Sequence, residues 1–295
     1  MTPILNIPSL TLSQLNVEHN LQDALSRVEA LVREEPVNAT QRFALVDVLC
    51  VLGQWERALK QLQTAARLAP MMEPYAQMVR GLIRTEHQRA EVFAGRLLPT
   101  PVVDRPAWME DLARAMGHNA KGEHVHADRL REAALSQAPV IGGMCFVQSE
   151  EAGSELVQHH FEWLSDTDSR LGPLCELMMN GSYRWVAYAD IQSMMLPAAT
   201  RLLDLVWLPV KLKLRGTQVR DQLLHGYVPV RYSGTESVSA DVGMHQRDAL
   251  LLSRLTRWQN VGDSGVFACG QKTLMSEGVD FPLLDLRELR LGVGT

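Results

Sequence analysis

Apolar residues in the first half of the chain recur at intervals of three and four, the spacing that places side chains on one face of an α-helix. The pattern is clearest in two runs, Leu25, Val28, Leu31 and Val32, and then Leu59, Leu62 and Ala66. Together with breaker residues at the ends of the runs, this spacing predicts six helices. Their expected positions are 19–34, 38–52, 55–68, 73–93, 106–117 and 121–137.

An alanine followed twelve residues later by a proline occurs three times in this half, at Ala24, Ala58 and Ala127. Gly53 and Gly122 lie five residues before the second and third alanines, where a tight turn between helices suits glycine. The small alanine lets two helices approach closely, and the proline ends a helix. The pattern predicts a tetratricopeptide-like helical repeat domain over residues 1–140, with a concave face suited to peptides or helices.

The periodicity changes after a Gly-, Ser- and Glu-rich segment at 139–155, which we take as the domain boundary. Aromatic and β-branched residues then alternate with turn residues, which favours strands. We therefore predict a mainly antiparallel α+β domain over 155–295, and an α+β fold for the whole chain. The expected strands are 159–164, 183–188, 206–214, 226–232, 250–258 and 265–275, with short helices at 171–180 and 190–196.

Composition excludes several classes of protein. The chain is 46% apolar and 21% charged with a net charge of −5, which is ordinary globular composition. Neither half is basic, which argues against nucleic-acid partners and anionic membrane surfaces. No apolar run is long enough to span a membrane, and the N-terminus does not resemble a secretory signal. Four widely spaced cysteines without a C-x-x-C pair suit the reducing cytoplasm.

Asp166 and Asp168, two residues apart after a predicted strand, are paired carboxylates that could hold a divalent cation. A calcium-binding loop that began at Asp166 would need an oxygen ligand at position 170 and a glutamate at position 177. The chain has Arg170 and Leu177 there, so it does not contain that motif. One interpretation is a metal-dependent hydrolase using Asp166, Asp168 and Glu176. The other is a turn in which the carboxylates bind backbone N–H groups and Arg170 neutralises them. We predict no metal, no cofactor and no catalytic residue.

Three arginines on the predicted helix 73–93 are candidates for a partner-binding surface. Arg80 and Arg84 are four residues apart and share a helix face, and Arg89 follows on the same helix. Trp55, at the start of the preceding helix, joins them as a candidate contact residue. The alternative is an ordinary solvated face, since acidic residues occur among these arginines.

The run from Phe161 to Pro173, with Glu176 and the run from Gly181 to Val186, resembles the signature of the ImpE/SciE family, also called TagJ. Further matching segments surround Trp207, Tyr232, Trp258 and Gln271, and Lys272 stands where the family pattern suggests arginine. The signature residues that we single out as structural or interaction sites are Asp166, Asp168, Arg170, Glu176, Tyr183, Trp185, Asp204, Trp207, Arg231, Tyr232 and Gln271.

This resemblance implies a non-catalytic accessory adaptor of the bacterial type VI secretion system. Its implied partner is the N-terminal helix of the small (TssB-type) subunit of the contractile sheath, with the ClpV ATPase as a second component. A helix-binding groove in the repeat domain would fit such a partner. A general assembly scaffold remains the alternative. For the signature carboxylates, we hypothesise that they hold the sheet–helix junction by accepting backbone N–H groups and pairing with Arg170 or Arg231.

Overall fold

Six helices form the first half of the chain in the computed structural model, which describes residues 20–148, 155–216, 223–237 and 243–292. They lie close to the predicted positions. The N-terminal segment 1–19 and residues 149–154 of the predicted boundary lie outside the described residues. The helices are α1 (Leu21–Glu34), α2 (Ala39–Val51), α3 (Trp55–Leu68), α4 (Glu73–Phe93), α5 (Ala107–Ala120) and α6 (His124–Gln137).

Side-chain caps and a glycine turn define the first helices. The Asn20 and Asn38 side chains accept the backbone N–H groups of Asp23 (2.8 Å) and Gln41 (3.2 Å), so each satisfies a free donor at a helix start. Gly53 joins α2 to α3 with φ +69°, in the left-handed region that favours glycine. The turn predicted from the repeat pattern is therefore present.

The second half forms a mostly antiparallel sheet, which confirms the α+β class. Nine strands lie in the order β1-β6-β5-β9-β8-β7-β14-β2-β3, and only the β1–β6 pair among them is parallel. A hairpin and a three-stranded sheet, β13-β12-β4, accompany the large sheet. The strands of the large sheet are β1 (Thr100–Pro101), β2 (Gly143–Gln148), β3 (Leu156–Phe161), β5 (Leu174–Met179), β6 (Ser182–Ala187), β7 (Ile191–Met195), β8 (Trp207–Leu214), β9 (Leu223–Pro229) and β14 (Leu286–Leu291).

The smaller sheets and one helix complete the described structure. The hairpin and two strands of the three-stranded sheet lie between β9 and β14 in the chain, and the third strand lies before β5. Helix α7 (Met244–Leu251) precedes the hairpin. The remaining strands are β4 (Ser165–Asp166), β10 (Thr256–Val261), β11 (Gly265–Gly270), β12 (Thr273–Ser276) and β13 (Val279–Pro282).

Three predicted elements in the second half are wrong. The expected helix 171–180 is strand β5, whose first five residues are all buried, and the expected helix 190–196 is strand β7. A short apolar run that is buried on both faces, as in β5, shows no alternation, so periodicity cannot distinguish it from a helix. In β7 the buried residues Ile191 and Met194 are three apart, which is also a helical spacing. The expected strand 250–258 begins inside α7, and Ser253 with φ 54° separates that helix from β10.

The hydrophobic core joins the two halves. Side chains of α1–α4 pack in one cluster with Met178, Leu202, Trp207 and Leu251 from the second half. A second cluster lies within the sheets, and a third packs α5 and α6 against residues around Trp185. The helices therefore pack against part of the large sheet, around β5, β6 and the start of β8, and share its apolar side chains. Within the described part of the chain, no helix is both long and apolar enough to cross a membrane.

Candidate functional site

Asp166 ends the short strand β4 and is buried. Its Oδ1 accepts the backbone N–H of Asp168 (2.9 Å) and the Tyr232 hydroxyl (2.8 Å), and its Oδ2 accepts the Lys272 ammonium (2.6 Å). Burial raises the pKa of Asp166, and the positive charge of Lys272 acts in the opposite direction. The oxygens of this carboxylate are thus occupied by groups of the same chain.

Asp168 connects the turn after β4 to the hairpin. Its Oδ1 accepts the backbone N–H of Arg170 (2.9 Å), and its Oδ2 accepts that of Ala268 in β11 (3.0 Å). The Arg170 guanidinium pairs with the same carboxylate and lies between two rings, 4.9 Å from the Phe93 centroid and 4.4 Å from that of Phe267. Because Phe93 belongs to α4, this pair also contacts the helical half.

Glu176 is the centre of a buried charge network. Arg89 of α4 donates to both of its oxygens, at 2.6 and 2.9 Å, and Lys272 lies 2.9 Å from Oε2. The Tyr183 hydroxyl donates to Oε1 (2.5 Å) and itself accepts the Trp185 indole N–H (2.7 Å). Burial alone would raise the pKa of Glu176, but the charges of Arg89 and Lys272 outweigh it and lower the pKa to about 2.

Arg231 binds the carboxyl ends of two helices. Its Nη1 donates to the carbonyl oxygens of Val51 (2.6 Å), at the end of α2, and Leu251 (2.8 Å), at the end of α7. Carbonyl groups in the last turn of a helix have no partner within the helix and carry partial negative charge, so a cation there stabilises them. The backbone oxygen of Arg231 in turn accepts Arg89 Nη2 (2.8 Å). No carboxylate pairs with Arg231 in the described residues, so of the two arginines expected to pair with the signature carboxylates it is Arg170 that does so, through Asp168.

Trp207 links β8 to two helices. Its indole N–H donates to Glu86 of α4 (2.8 Å), and its ring lies 5.7 Å from that of Trp55 in α3, centroid to centroid. Trp207 is almost fully buried. The two aromatic residues therefore belong to the interface between helices and sheet.

Asp204 and Gln271 satisfy local backbone groups. The Asp204 carboxylate accepts the backbone N–H of Arg201 (2.9 Å) and its guanidinium (3.0 Å), which closes a 3-10 turn before β8. With its amide oriented to satisfy both neighbours, Gln271 donates to the Ser253 carbonyl oxygen (2.9 Å) and accepts the Leu284 N–H (3.1 Å). Both side chains hold loops in place.

The four residues predicted to bind a partner do not form one surface. Arg89 is buried in the charge network, and Trp55 is half-buried against the sheet. Arg80 pairs with Glu73 on its own helix (2.8 Å). Among these four residues, Arg84 is exposed.

The carboxylates of the hydrolase interpretation are engaged by cations. Asp166 and Glu176 share Lys272, and Asp168 pairs with Arg170. Within the described ranges, no group of three histidine, cysteine, aspartate or glutamate residues is placed to hold a metal ion.

An exposed apolar groove lies where α4 meets the sheet, and sequence reasoning missed it. It consists of two adjoining depressions of about 500 and 370 Å³, which share Met178, Met179 and Tyr227. Met195 lines the first and Met78 of α4 lines the second. We call this surface the methionine groove. The Tyr227 hydroxyl donates to Met78 Sδ (2.7 Å), which joins helix and strand at its centre.

The floor of the methionine groove is one face of the sheet. Along β8, Leu208, Val210 and Leu212 are buried in the sheet core, so Pro209 and Lys211 point to the opposite face. Cross-strand pairing extends that face from β7 through β8 to β9. The sequence signal for this surface is the alternation of apolar residues with Pro209, Lys211 and Lys213 in the predicted strand 206–214. Such alternation indicates that one face of the strand is not covered by the core.

Cations border the methionine groove. Lys211 of β8 lines the groove. Arg84 of α4 lies close to Gly181, which also lines it: the Arg84 Nη1 atom is 3.9 Å from the position that a Cβ on Gly181 would take. Neither cation forms an ion pair with another residue that the structure describes. The groove thus combines a flexible apolar floor with unneutralised positive charge at its edge.

Comparison with known proteins gives concordant results. Residues 158–290 match the sequence profile described as ImpE protein. The type VI secretion system accessory component TagJ of Pseudomonas aeruginosa is 37% identical over 270 residues, covering 91% of this chain and 86% of that protein. The chain belongs to the ImpE family. An X-ray crystal structure of protein VPA1032 from Vibrio parahaemolyticus has a TM-score of 0.77 at 25% identity, covering 92% of this chain and 93% of that one.

The ImpE region depends on the helical half for charge balance. The matched residues 158–290 contain Asp166, Asp168, Glu176 and Lys272, whereas Arg89 comes from α4, outside the match. Without Arg89, Glu176 and Asp166 would share a single cation. The network is therefore a structural junction between the ImpE region and the helices.

Proposed function

We propose that this chain is a non-catalytic adaptor of the type VI secretion system that binds the N-terminal helix of the small sheath subunit. The relative from Pseudomonas aeruginosa is named as an accessory component of that system. The observation that carries the proposal is the methionine groove, an apolar channel with an unneutralised basic edge on an otherwise mildly acidic protein. In this proposal the adaptor acts in the cytoplasm and links the sheath subunit to the ClpV ATPase.

A helix fits the methionine groove in its chemistry. Methionine side chains adapt to irregular apolar surfaces, which suits anchors at positions i, i+3, i+4 and i+7 of a bound helix. Lys211 and Arg84 would pair with acidic residues beside those anchors, so the bound helix is expected to be amphipathic with an acidic flank.

The test is calorimetric titration of the full chain with a peptide of the sheath subunit's N-terminal helix. We expect saturable binding that Lys211→Glu weakens about tenfold, because the charge at the groove edge is reversed. Met195→Gln should weaken binding about fivefold by removing a partly exposed apolar contact. Lys60→Glu, the same reversal on the exposed face of α3, is the matched control.

Each outcome has a defined meaning. If Lys60→Glu weakens binding and Lys211→Glu does not, the helix binds the repeat surface and the groove assignment is wrong. If the folded protein gives no heat at high micromolar peptide, helix capture itself is wrong. Recovery of other secretion components by this chain from cells lacking the sheath subunit would favour the general scaffold instead.

A further inference from the structure

A second pocket lies away from the methionine groove, between the three-stranded sheet and the β10–β11 hairpin. Its volume is about 440 Å³. Strand register places Ser165, Met275 and Asp280 in one row across β4, β12 and β13, and all three line the pocket. The neighbouring row contains Asp166 and is buried. The pocket therefore lies on the face of the small sheet that carries Ser165, Met275 and Asp280, and it is also bordered by Asp166, which pairs with Lys272.

Trp258 of β10 forms one wall of this pocket. Its side chain is 48% exposed, whereas Trp185 and Trp207 are exposed by 0 and 1%. Its indole N–H already donates to the Thr167 hydroxyl (3.0 Å), which fixes the ring against the turn after β4. Because the polar atom is satisfied, the indole offers a partner its apolar and π surface.

The pocket carries negative charge without an internal cation. Asp280 is exposed and has no ion-pair partner among the residues that the structure describes. The cations of the adjacent strand and turn are engaged elsewhere, since Lys272 pairs with Asp166 and Arg170 pairs with Asp168. A carboxylate, an exposed indole and the apolar Met275 side chain together match a guanidinium on an aliphatic stem.

We propose that this pocket binds an arginine side chain of a partner protein, as a docking surface separate from the methionine groove. The guanidinium stacks on Trp258 and pairs with Asp280, while its methylene groups pack on Met275. Arginine fits better than lysine because its planar, weakly hydrated head both stacks and hydrogen-bonds. Tryptophan and arginine are also the residues most enriched at the centres of protein interfaces. The inference does not depend on what occupies the methionine groove.

The test uses ¹⁵N-labelled full-length protein titrated with N-acetyl-arginine amide. N-acetyl-citrulline amide has the same shape without the charge and is the matched control ligand. We expect a saturable shift of the Trp258 indole resonance with arginine, at a dissociation constant of millimolar order, and none with citrulline. The Trp258 resonance is identified by its loss in Trp258→Ala.

Two substitutions separate the contributions. Asp280→Asn should weaken arginine binding about threefold to tenfold, whereas Asp104→Asn removes the same charge elsewhere and should leave it unchanged. In Trp258→Ala, the backbone amide of Met275 replaces the indole as reporter and should no longer shift saturably. Equal shifts with citrulline, or an unchanged affinity in Asp280→Asn, would overturn the proposal, provided that the unfolding midpoint shows each variant to be folded.

Discussion

Glu176 owes its ionised state to residues from both halves of the chain. A carboxylate in an apolar interior is normally driven to its neutral form, because burial penalises the charge. Here Arg89 and Lys272 reverse that tendency. Buried pairs of this kind add little net stability over apolar packing, but breaking one leaves an uncompensated charge. The charges of the network are therefore balanced only when the two halves of the chain are packed together as in this structure.

Glu176→Gln should lower the free energy of unfolding by about 3–5 kcal/mol, because Arg89 loses its bidentate partner and keeps only a longer pair to Glu86 (3.5 Å), while Lys272 keeps only Asp166. Urea unfolding at pH 7 measures the loss. Glu73→Gln, which removes an exposed carboxylate paired with Arg80, is the control and should leave the midpoint unchanged. A loss below about 1 kcal/mol for Glu176→Gln would contradict the role assigned to the network.

The pH dependence of stability follows from the same residue. The pKa of Glu176 falls from an ordinary 4.5 to about 2 on folding. A depressed folded pKa gives stability that is present above pH 4.5 and is lost as the pH falls towards 2. The difference in unfolding free energy between the natural chain and Glu176→Gln should therefore shrink from pH 5 to pH 3, measured by urea unfolding at each pH. A constant difference would mean that the carboxylate is not ionised at neutral pH.

At the scale of elements, side chains of the second half complete the ends and faces of the helices. Arg231 satisfies carbonyl groups that α2 leaves free, and Trp207 packs on Trp55 of α3. Sequence periodicity and breaker residues located the six N-terminal helices well, although α2 is buried all round from Leu45 to Val51 and has no single apolar face. Periodicity failed for β5, where burial on both faces removes the alternation that distinguishes a strand, and for β7, where the buried Ile191 and Met194 are three residues apart, as on a helix face.

Trp55→Ala should destabilise the fold by about 2 kcal/mol, since a half-buried indole loses its contact with Trp207. Chemical unfolding measures this loss. Trp258→Ala, at an exposed indole, is the matched control and should cost less than about 1 kcal/mol. In calorimetry, the folded Trp55→Ala protein should bind the sheath-helix peptide with unchanged affinity. Weaker peptide binding without loss of stability would restore Trp55 as a partner contact.

At the scale of the molecule, the sequence correctly indicated two kinds of structure but not how they are joined. Residues such as Asp166 and Arg231 were visible as a signature, yet their partners lie far away in the chain. Arg231 contacts Val51, 180 positions earlier, and no local pattern encodes such a contact. The methionine groove was missed for a related reason, because it exists only where α4 and the sheet meet.

The predicted boundary at 140–155 therefore marks a change from helices to sheet, but we expect the two regions to unfold together. The first core cluster includes Met178 and Trp207, and the α2 carboxyl end needs Arg231, so residues 1–140 alone would expose apolar side chains and unsatisfied carbonyl groups. We expect one cooperative transition for the full chain, with calorimetric and van't Hoff enthalpies equal, and a largely unfolded 1–140 fragment by circular dichroism and amide exchange. Two resolved unfolding transitions, or a 1–140 fragment whose amides exchange as slowly as in the full chain, would contradict this prediction. Either result would mean that the shared core contributes less to stability than the separate interiors of the two halves.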